Sequence, residues 1–188
     1  GVTPDAGGFF ANMSTLMHST VCLHPPPVSF VCNSNRPEIG IGAAARAVME
    51  AGAFVAHAHL RTLENLSGLS FAAMQFTGGS SQGRLWPQIV ADVTGRPLDI
   101  PVVKETTALG CAMLAAVGGG LFSSLDEAAE AMASPIERTI EPQAAATACY
   151  GEIEERWSKV NRAMTELALS GAVEPLWRPA GALPYRRN

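Results

Sequence analysis

Residues Phe71–Thr94, FAAMQFTGGSSQGRLWPQIVADVT, constrain the fold of this chain more than any other stretch. Phe71 to Phe76 is a short apolar run, long enough for a buried strand and too short for an independent helix. Thr77-Gly78-Gly79 breaks it, and small polar residues follow. Leu85, Ile89 and Val93 then recur at steps of four, which predicts a helix that stops before Gly95-Arg96-Pro97. Glycine lets a ligand approach the backbone without a Cβ in the way, and the free N–H groups and dipole at a helix start favour phosphate. Such a turn can hold a nucleotide. The same order also serves as a plain tight connection, and from these residues alone both readings stay open.

The flanking segments repeat the alternation. Residues 1 to 27 read as loop with at most one short strand, because Gly7-Gly8 and Pro25-Pro26-Pro27 favour turn or extended geometry. Val28 to Cys32 is β-branched and apolar enough for a strand, closed by the turn residues Asn33-Ser34-Asn35. From about Pro37 to Leu66, residues Ala44, Val48, Ala51, Val55, Ala58, Leu63 and Leu66 predict one buried face of a long helix ended by Gly68. Leu98 to Val103, carrying Pro101, reads as an edge-type strand. Thr106 to about Val117 is a small-residue helix, apolar nearly all round, and is therefore expected to be buried. Leu125 to Met132 is a short helix with Ser123 or Ser124 as N-cap and Glu127 in its first turn. Ile136 to Ile140 reads as a strand, and a polar helix runs from Pro142 to about Leu169. Strands alternating with helices predict an α/β domain, a mixed sheet flanked by helices.

Composition excludes several classes of function. With 188 residues, 47% of them hydrophobic, the chain can bury one core of ordinary domain size, and one domain is the working count. Charged residues make up 16% and the net charge is −4, with Lys and Arg scattered, so neither nucleic acid nor a membrane surface is an expected partner. No apolar stretch has the length of a membrane span and no signal-peptide pattern opens the chain. Cys22, Cys32, Cys111 and Cys149 form no CxxC pair, which suits a reduced, cytoplasmic setting.

Other candidates carry less. Gly40-Ile-Gly42 resembles a loose dinucleotide fingerprint, but it lacks a clean preceding strand and the later acidic residue, so a helix start is the better reading. His57 and His59 diverge by about 200° on a helix and cannot share a metal. No metal-ligating set is predicted. Trp86 and Trp157 read as core residues, Glu152, Glu154, Glu155 and Arg156 as a solvated helix face, and His18 and His24 as loop residues. Asp92, close to a helix C-terminus, opposes the dipole unless paired and reads as a structural hydrogen-bonding residue.

The order and spacing of Thr77–Phe122, TGGSSQGRLWPQIVADVTGRPLDIPVVKETTALGCAMLAAVGGGLF, resemble the signature region of the FGGY carbohydrate kinases. There a Gly-Gly turn contacting ATP leads into a helix ending Gln-x-x-Ala-Asp, and a Glu-x-Thr-Ala-Leu-Gly-x-Ala block follows. Weaker similarity covers Arg46 to Leu63, Glu137-Arg138-Thr139 with Pro142, and the Trp157 helix. Phe76-Thr-Gly-Gly, Gly83-Arg-Leu-Trp86, Ile100 to Glu105 and Leu176 to Gly181 look like the autoinducer-2 kinase branch, which phosphorylates 4,5-dihydroxypentane-2,3-dione.

The resemblance implies a ribonuclease H-like, actin-like ATPase domain, the C-terminal ATP-binding part of a kinase that uses ATP and Mg²⁺. It matches Gly78 and Gly79 to the turn facing the nucleotide phosphates and ribose, and Ser80, Gln82 and Gly83 to positions lining the adenosine. Ser80 stands where many members have a third glycine, and Gly83 lacks the side chain that elsewhere touches adenine. Pro87 lies in the early turns of the following helix, which is expected to begin late. Gly110 reads as a close-packing residue, with Thr106 to Ala116 packed against the sheet. The Asp-x-Gly-Thr-type phosphate segment, the sugar-binding residues and the catalytic Asp of the family are not found here. The expected partners are a small sugar-like substrate and an N-terminal sugar-binding domain, and assembly into a homo-oligomer is left open. Without that domain the chain is expected to bind ATP weakly and turn nothing over. Another pentulose or polyol kinase, a non-catalytic nucleotide-binding module and a purely structural domain are the alternatives.

Overall fold

The computed structural model describes residues 3–13, 28–32 and 40–174. Cys22, His18, His24, the triple proline, the Asn33–Asn35 turn and the Leu176–Gly181 ending lie outside the described residues. In chain order the elements are β1 (Phe10–Asn12), β2 (Ser29–Val31), α1 (Ile41–Ser67), β3 (Met74–Gln75), a 3-10 turn (Gly79–Gln82), α2 (Leu85–Thr94), β4 (Leu98–Pro101), α3 (Thr106–Gly118), α4 (Leu125–Met132), β5 (Ile136–Ile140) and α5 (Ala144–Leu169).

Two small sheets result. β1 and β2 pair antiparallel, with Ala11 opposite Phe30. In the second, β4 lies between β3, to which it is parallel, and β5, to which it is antiparallel. The edge position expected for β4 is therefore corrected. Pro101 is tolerated in a central strand because it is the last residue, at a register irregularity between Ile100 and Pro101 where the regular ladder has already broken.

The core forms where α1 and α5 meet β1 and α2. Phe54 of α1 lies edge-on to Tyr150 of α5 at 6.1 Å and against Trp157 at 5.3 Å. Trp157 donates its Nε1 hydrogen to the Ala11 carbonyl of β1 at 2.8 Å, so its polar atom is satisfied inside the core. Beneath it sits a buried polar knot. Glu50 accepts from Arg46 Nε at 2.7 Å and from the Tyr150 hydroxyl at 3.0 Å, and Arg46 Nη2 donates to the same hydroxyl at 2.6 Å. Burial pushes the Glu50 carboxyl up, opposed by these bonds, and burial followed by the Glu50 charge pushes Tyr150 well above the usual phenol value.

Helix ends follow local chemistry. Gly68 and Gly95 close α1 and α2 in the left-handed region, φ 69° and 63°, where a side chain would be strained. Ser124 accepts from Glu127 N–H at 3.1 Å to cap α4, and Glu127 in turn accepts from Ser123 N–H at 2.8 Å. α1 starts after Gly40, as the helix-start reading requires.

Two expectations about burial need correction. The inward face of α1 runs through Ala43, Ala47, Glu50, Ala51, Phe54 and Val55, offset by a residue from much of the predicted line, and Leu63 and Leu66 are 57% and 81% exposed. The ten-residue α2 spans about 15 Å of the roughly 40 Å of α1, and no described element buries Leu63 and Leu66 near the C-terminal end of that helix. Secondly, α3 buries none of its residues. It packs on α4 and not closely on the sheet, and a Cβ added to Gly110 would meet open space, so the close-packing role expected of that glycine has no counterpart here.

Candidate functional site

The glycine turn lies at the end of the parallel pair β3–β4. Phe76 N–H bonds the Asp99 carbonyl at 3.0 Å and carries β3 to its last rung. The chain then turns at Gly78, whose φ of 81° and ψ of −176° belong to a region open essentially to glycine alone. Gly78 N–H donates to Lys104 O at 2.9 Å and the Thr106 hydroxyl bonds that of Thr77 at 3.0 Å, tying the turn to the β4–α3 connection.

Residues Gly79 to Gln82 form one 3-10 turn, locked by Ser81, which is fully buried. Its N–H and hydroxyl both donate to Gly78 O, at 3.1 and 2.7 Å. The N–H groups of Gly79 and Ser80 start the turn and have no carbonyl within it to bond. An ideal Cβ at Gly78 or Gly79 meets no atom within 4 Å, so the backbone there is open to a ligand. Gln82 and Gly83 are exposed and Ser80 is half-buried on the same turn, so the structure brings Gly78, Gly79, Ser80, Gln82 and Gly83 together on one loop. α2 begins only at Leu85, with Pro87 in its first turn, where a missing N–H costs nothing. The helix does start late, and the glycine pair leads into the 3-10 turn instead of directly into α2.

Three further residues shape the site, none of them singled out as a site residue from the sequence. Arg138 of β5 donates through Nη2 to the carbonyls of Ser81, 2.8 Å, and Gly83, 3.1 Å. Its neighbour Glu137 pairs with Lys104, whose ammonium also reaches Pro101 O, and the Lys104 partnership holds the Glu137 carboxyl below its usual value. The sequence signals were the weaker family similarity over Glu137-Arg138-Thr139 and the Ile100 to Glu105 run that carries Lys104, neither of which assigns a role. The helix that follows is fixed from behind: Asp92 accepts from Gln88 Nε2 at 2.9 Å and from Gln143 N–H at 2.8 Å, a structural role that stitches α2 to the start of α5.

The remaining candidates lie elsewhere. His57 Nδ1 is 2.8 Å from Glu154 Oε2, bridging α1 to α5, which takes Glu154 out of the purely solvated face expected for it. Trp86 is half-buried, edge-on to Phe76 at 6.0 Å. A surface cleft of about 230 Å³ lies between α1 and α5, away from the glycine turn and lined by Arg61, Asn65, Glu154 and Ser158 among others. No described helix is long and apolar enough to cross a membrane.

Comparison with known proteins places this arrangement. The profile of the FGGY family of carbohydrate kinases, C-terminal domain, matches residues 3–119. The chain is 36% identical over 181 residues to the autoinducer-2 kinase of Escherichia coli strain K12 and 37% identical to that of Salmonella paratyphi B, matching 96% of this chain and 34% of each relative. It thus spans about a third of the length of these relatives. Among solved structures, the xylulose kinase of Rhodospirillum rubrum superposes with a TM-score of 0.66 at 21% identity, covering 89% of this chain and 33% of that one. A ligand-bound xylulose kinase from Lactobacillus acidophilus gives 0.68 at 16% identity, covering 90% and 34%. These neighbours establish the actin-like ATPase fold, a mixed α/β domain with helices flanking a mixed sheet. On the profile match and the fold together, the chain belongs to the FGGY family of carbohydrate kinases, as part of its C-terminal domain.

Proposed function

We propose that this chain supplies the nucleotide-binding surface of a sugar kinase, with Gly78 and Gly79 facing the phosphates and ribose of ATP and Ser80, Gln82 and Gly83 lining the adenosine. One observation carries the reading: the Gly78–Gly79 backbone is open on the side where a Cβ would stand and is followed by N–H groups without partners in the turn. Those features suit a polyphosphate, which needs close backbone approach and hydrogen-bond donors. Mg²⁺ would arrive with the nucleotide and neutralise its phosphate charge.

The acceptor in this reading is a hydroxyl of a small sugar-like molecule, and 4,5-dihydroxypentane-2,3-dione is favoured because the curated relatives are autoinducer-2 kinases. The catalytic base and the sugar site belong to a partner domain, which docks on the uncovered apolar face of α3. The greater length of the relatives supports such a domain. The chain alone is then expected to bind nucleotide weakly and to release no ADP in a sugar-dependent way.

Titration of the chain with ADP, followed by amide chemical shifts, tests the nucleotide reading. Shifts concentrated at Gly78 to Gly83 are expected, and shifts centred on another surface would refute it. Phosphoryl transfer by a kinase reconstituted with the sugar-binding domain tests the acceptor. A clear preference for xylulose over 4,5-dihydroxypentane-2,3-dione would replace the substrate proposed here.

A further inference from the structure

Arg138 occupies a position that the nucleotide reading does not use. It comes from β5, the strand of its own sheet farthest in sequence from the glycine turn, yet the two hydrogens of its Nη2 go to the backbone carbonyls of Ser81 and Gly83, either side of the turn's end. Bonded to two backbone carbonyls, the guanidinium fixes two peptide planes at once. The Ser81 and Gly83 carbonyls share their peptide planes with the N–H groups of Gln82 and Arg84, which therefore point away from Arg138. Its Nε is buried with no hydrogen-bond partner, a cost that the two carbonyl bonds must offset.

The neighbouring residue acts on the other end of the same loop. Glu137 pairs with Lys104, and the Lys104 carbonyl accepts the Gly78 N–H. One strand therefore pins both ends of Gly78–Gly83. Nothing on the turn itself, apart from buried Ser81, would otherwise hold its shape, because its glycines gain the most conformational freedom when released.

We propose that Arg138 is a positioning residue for nucleotide binding: by holding the Ser81 and Gly83 carbonyls it fixes the far end of the turn, and with it the Gln82 N–H, so that the loop beginning at Gly78 keeps the shape it presents to the ligand. This rests on the reading of Gly78–Gly83 as the nucleotide turn. Loss of Arg138 is expected to leave the fold in place and loosen the turn.

The test compares the chain with Arg138→Gln, Arg138→Lys and, as a remote control for lost charge, Arg162→Gln. Amide exchange is measured without ligand, and ADP affinity is measured by amide shifts. For Arg138→Gln, exchange at Gly79 to Gly83 should rise roughly tenfold while core amides of α1 and α5 stay protected, and ADP affinity should fall by roughly tenfold or more, the scale of lost hydrogen bonds from a charged donor. Arg138→Lys, which keeps the charge but not the fork, should fall between, and stands in if Arg138→Gln does not fold. Arg162→Gln should change neither. Unchanged exchange at the turn in both Arg138 variants overturns the positioning role, whether or not ADP binds. Faster exchange with unaltered ADP affinity also overturns it, leaving Arg138 a purely structural residue. A wild-type chain whose turn ignores ADP sinks the nucleotide reading and this proposal with it, and the exchange data then show separately whether Arg138 orders the loop.

Discussion

A carboxylate two residues from the end of a helix faces the negative end of the dipole, and Asp92 is kept there by what it accepts. Its Oδ1 takes hydrogens from Gln88 Nε2 and from the Gln143 N–H, and Gln88 also reaches the Glu141 carbonyl. Because Asp92 is only 5% exposed, removing the acceptor strands the Gln143 N–H and leaves Gln88 Nε2 with the Glu141 carbonyl alone. Asp92→Ala should lower unfolding stability by roughly 1–3 kcal/mol in urea titrations, and Asp92→Asn by less, since an amide oxygen can still take the Gln143 hydrogen. Tyr150 makes a prediction with a sign. Burial, then the Glu50 charge, keeps its proton on in the folded state, whereas in the unfolded chain the phenol ionises near pH 10. The unfolded state then releases a proton that the native state retains. Stability is therefore full below about pH 10 and falls above it, by at most about 1.4 kcal/mol per pH unit for one group. Tyr150→Phe should start from a lower plateau, because Arg46 and Glu50 lose a shared partner, and should lack that component of the alkaline slope. Urea midpoints measured from pH 8 to 11 check both.

At the scale of elements, the glycine turn separates strain from access. Gly78 needs its φ of 81°, so Gly78→Ala should cost roughly 1–3 kcal/mol in stability although its Cβ meets no atom. Gly79 is not in the left-handed region and has the same open surroundings, so Gly79→Val should leave thermal stability nearly unchanged while abolishing ADP-induced shifts at the turn. Loss of stability without loss of nucleotide response in Gly79→Val would remove the turn from the site. This loop was legible in the sequence because its backbone turn is written in residues that lack side chains. The stops at Gly68 and Gly95 and the Ser124 cap were legible for a similar reason: each is decided within a few residues of itself. What the sequence hid was decided by distant partners. Arg138 is ordinary until β5 is laid beside the Gly78–Gly83 loop, and Pro101 argued for an edge until the register irregularity beside it showed how a central strand can end on proline. Leu63 and Leu66 kept the helical period of α1 but ran past the end of what covers it.

At the scale of the molecule, α3 packs on α4 and leaves the rest of its apolar surface to solvent. Periodicity could say only that this helix avoids water; which body covers it is set by what else is folded nearby. Leu114 is 62% exposed and Leu121 76%, while Val102 and Leu125 on the adjoining segments add 53% and 49%. Large apolar side chains exposed on one helix and its flanking segments suit an interface. In the reading proposed above, the sugar-binding domain covers it. Full burial of one leucine is worth about 1.5–3 kcal/mol, so placing a charge there should weaken docking by one to two orders of magnitude. Leu114→Glu should therefore leave the chain's own stability within about 0.5 kcal/mol, as an exposed substitution does. It should cut its affinity for the separately produced N-terminal two thirds of the Escherichia coli autoinducer-2 kinase, read by sedimentation, and with it the sugar-dependent ADP release of the mixture. Concentration-dependent dimers of the chain alone that Leu114→Glu dissolves, with no binding of that N-terminal portion, would instead make α3 the contact between two copies.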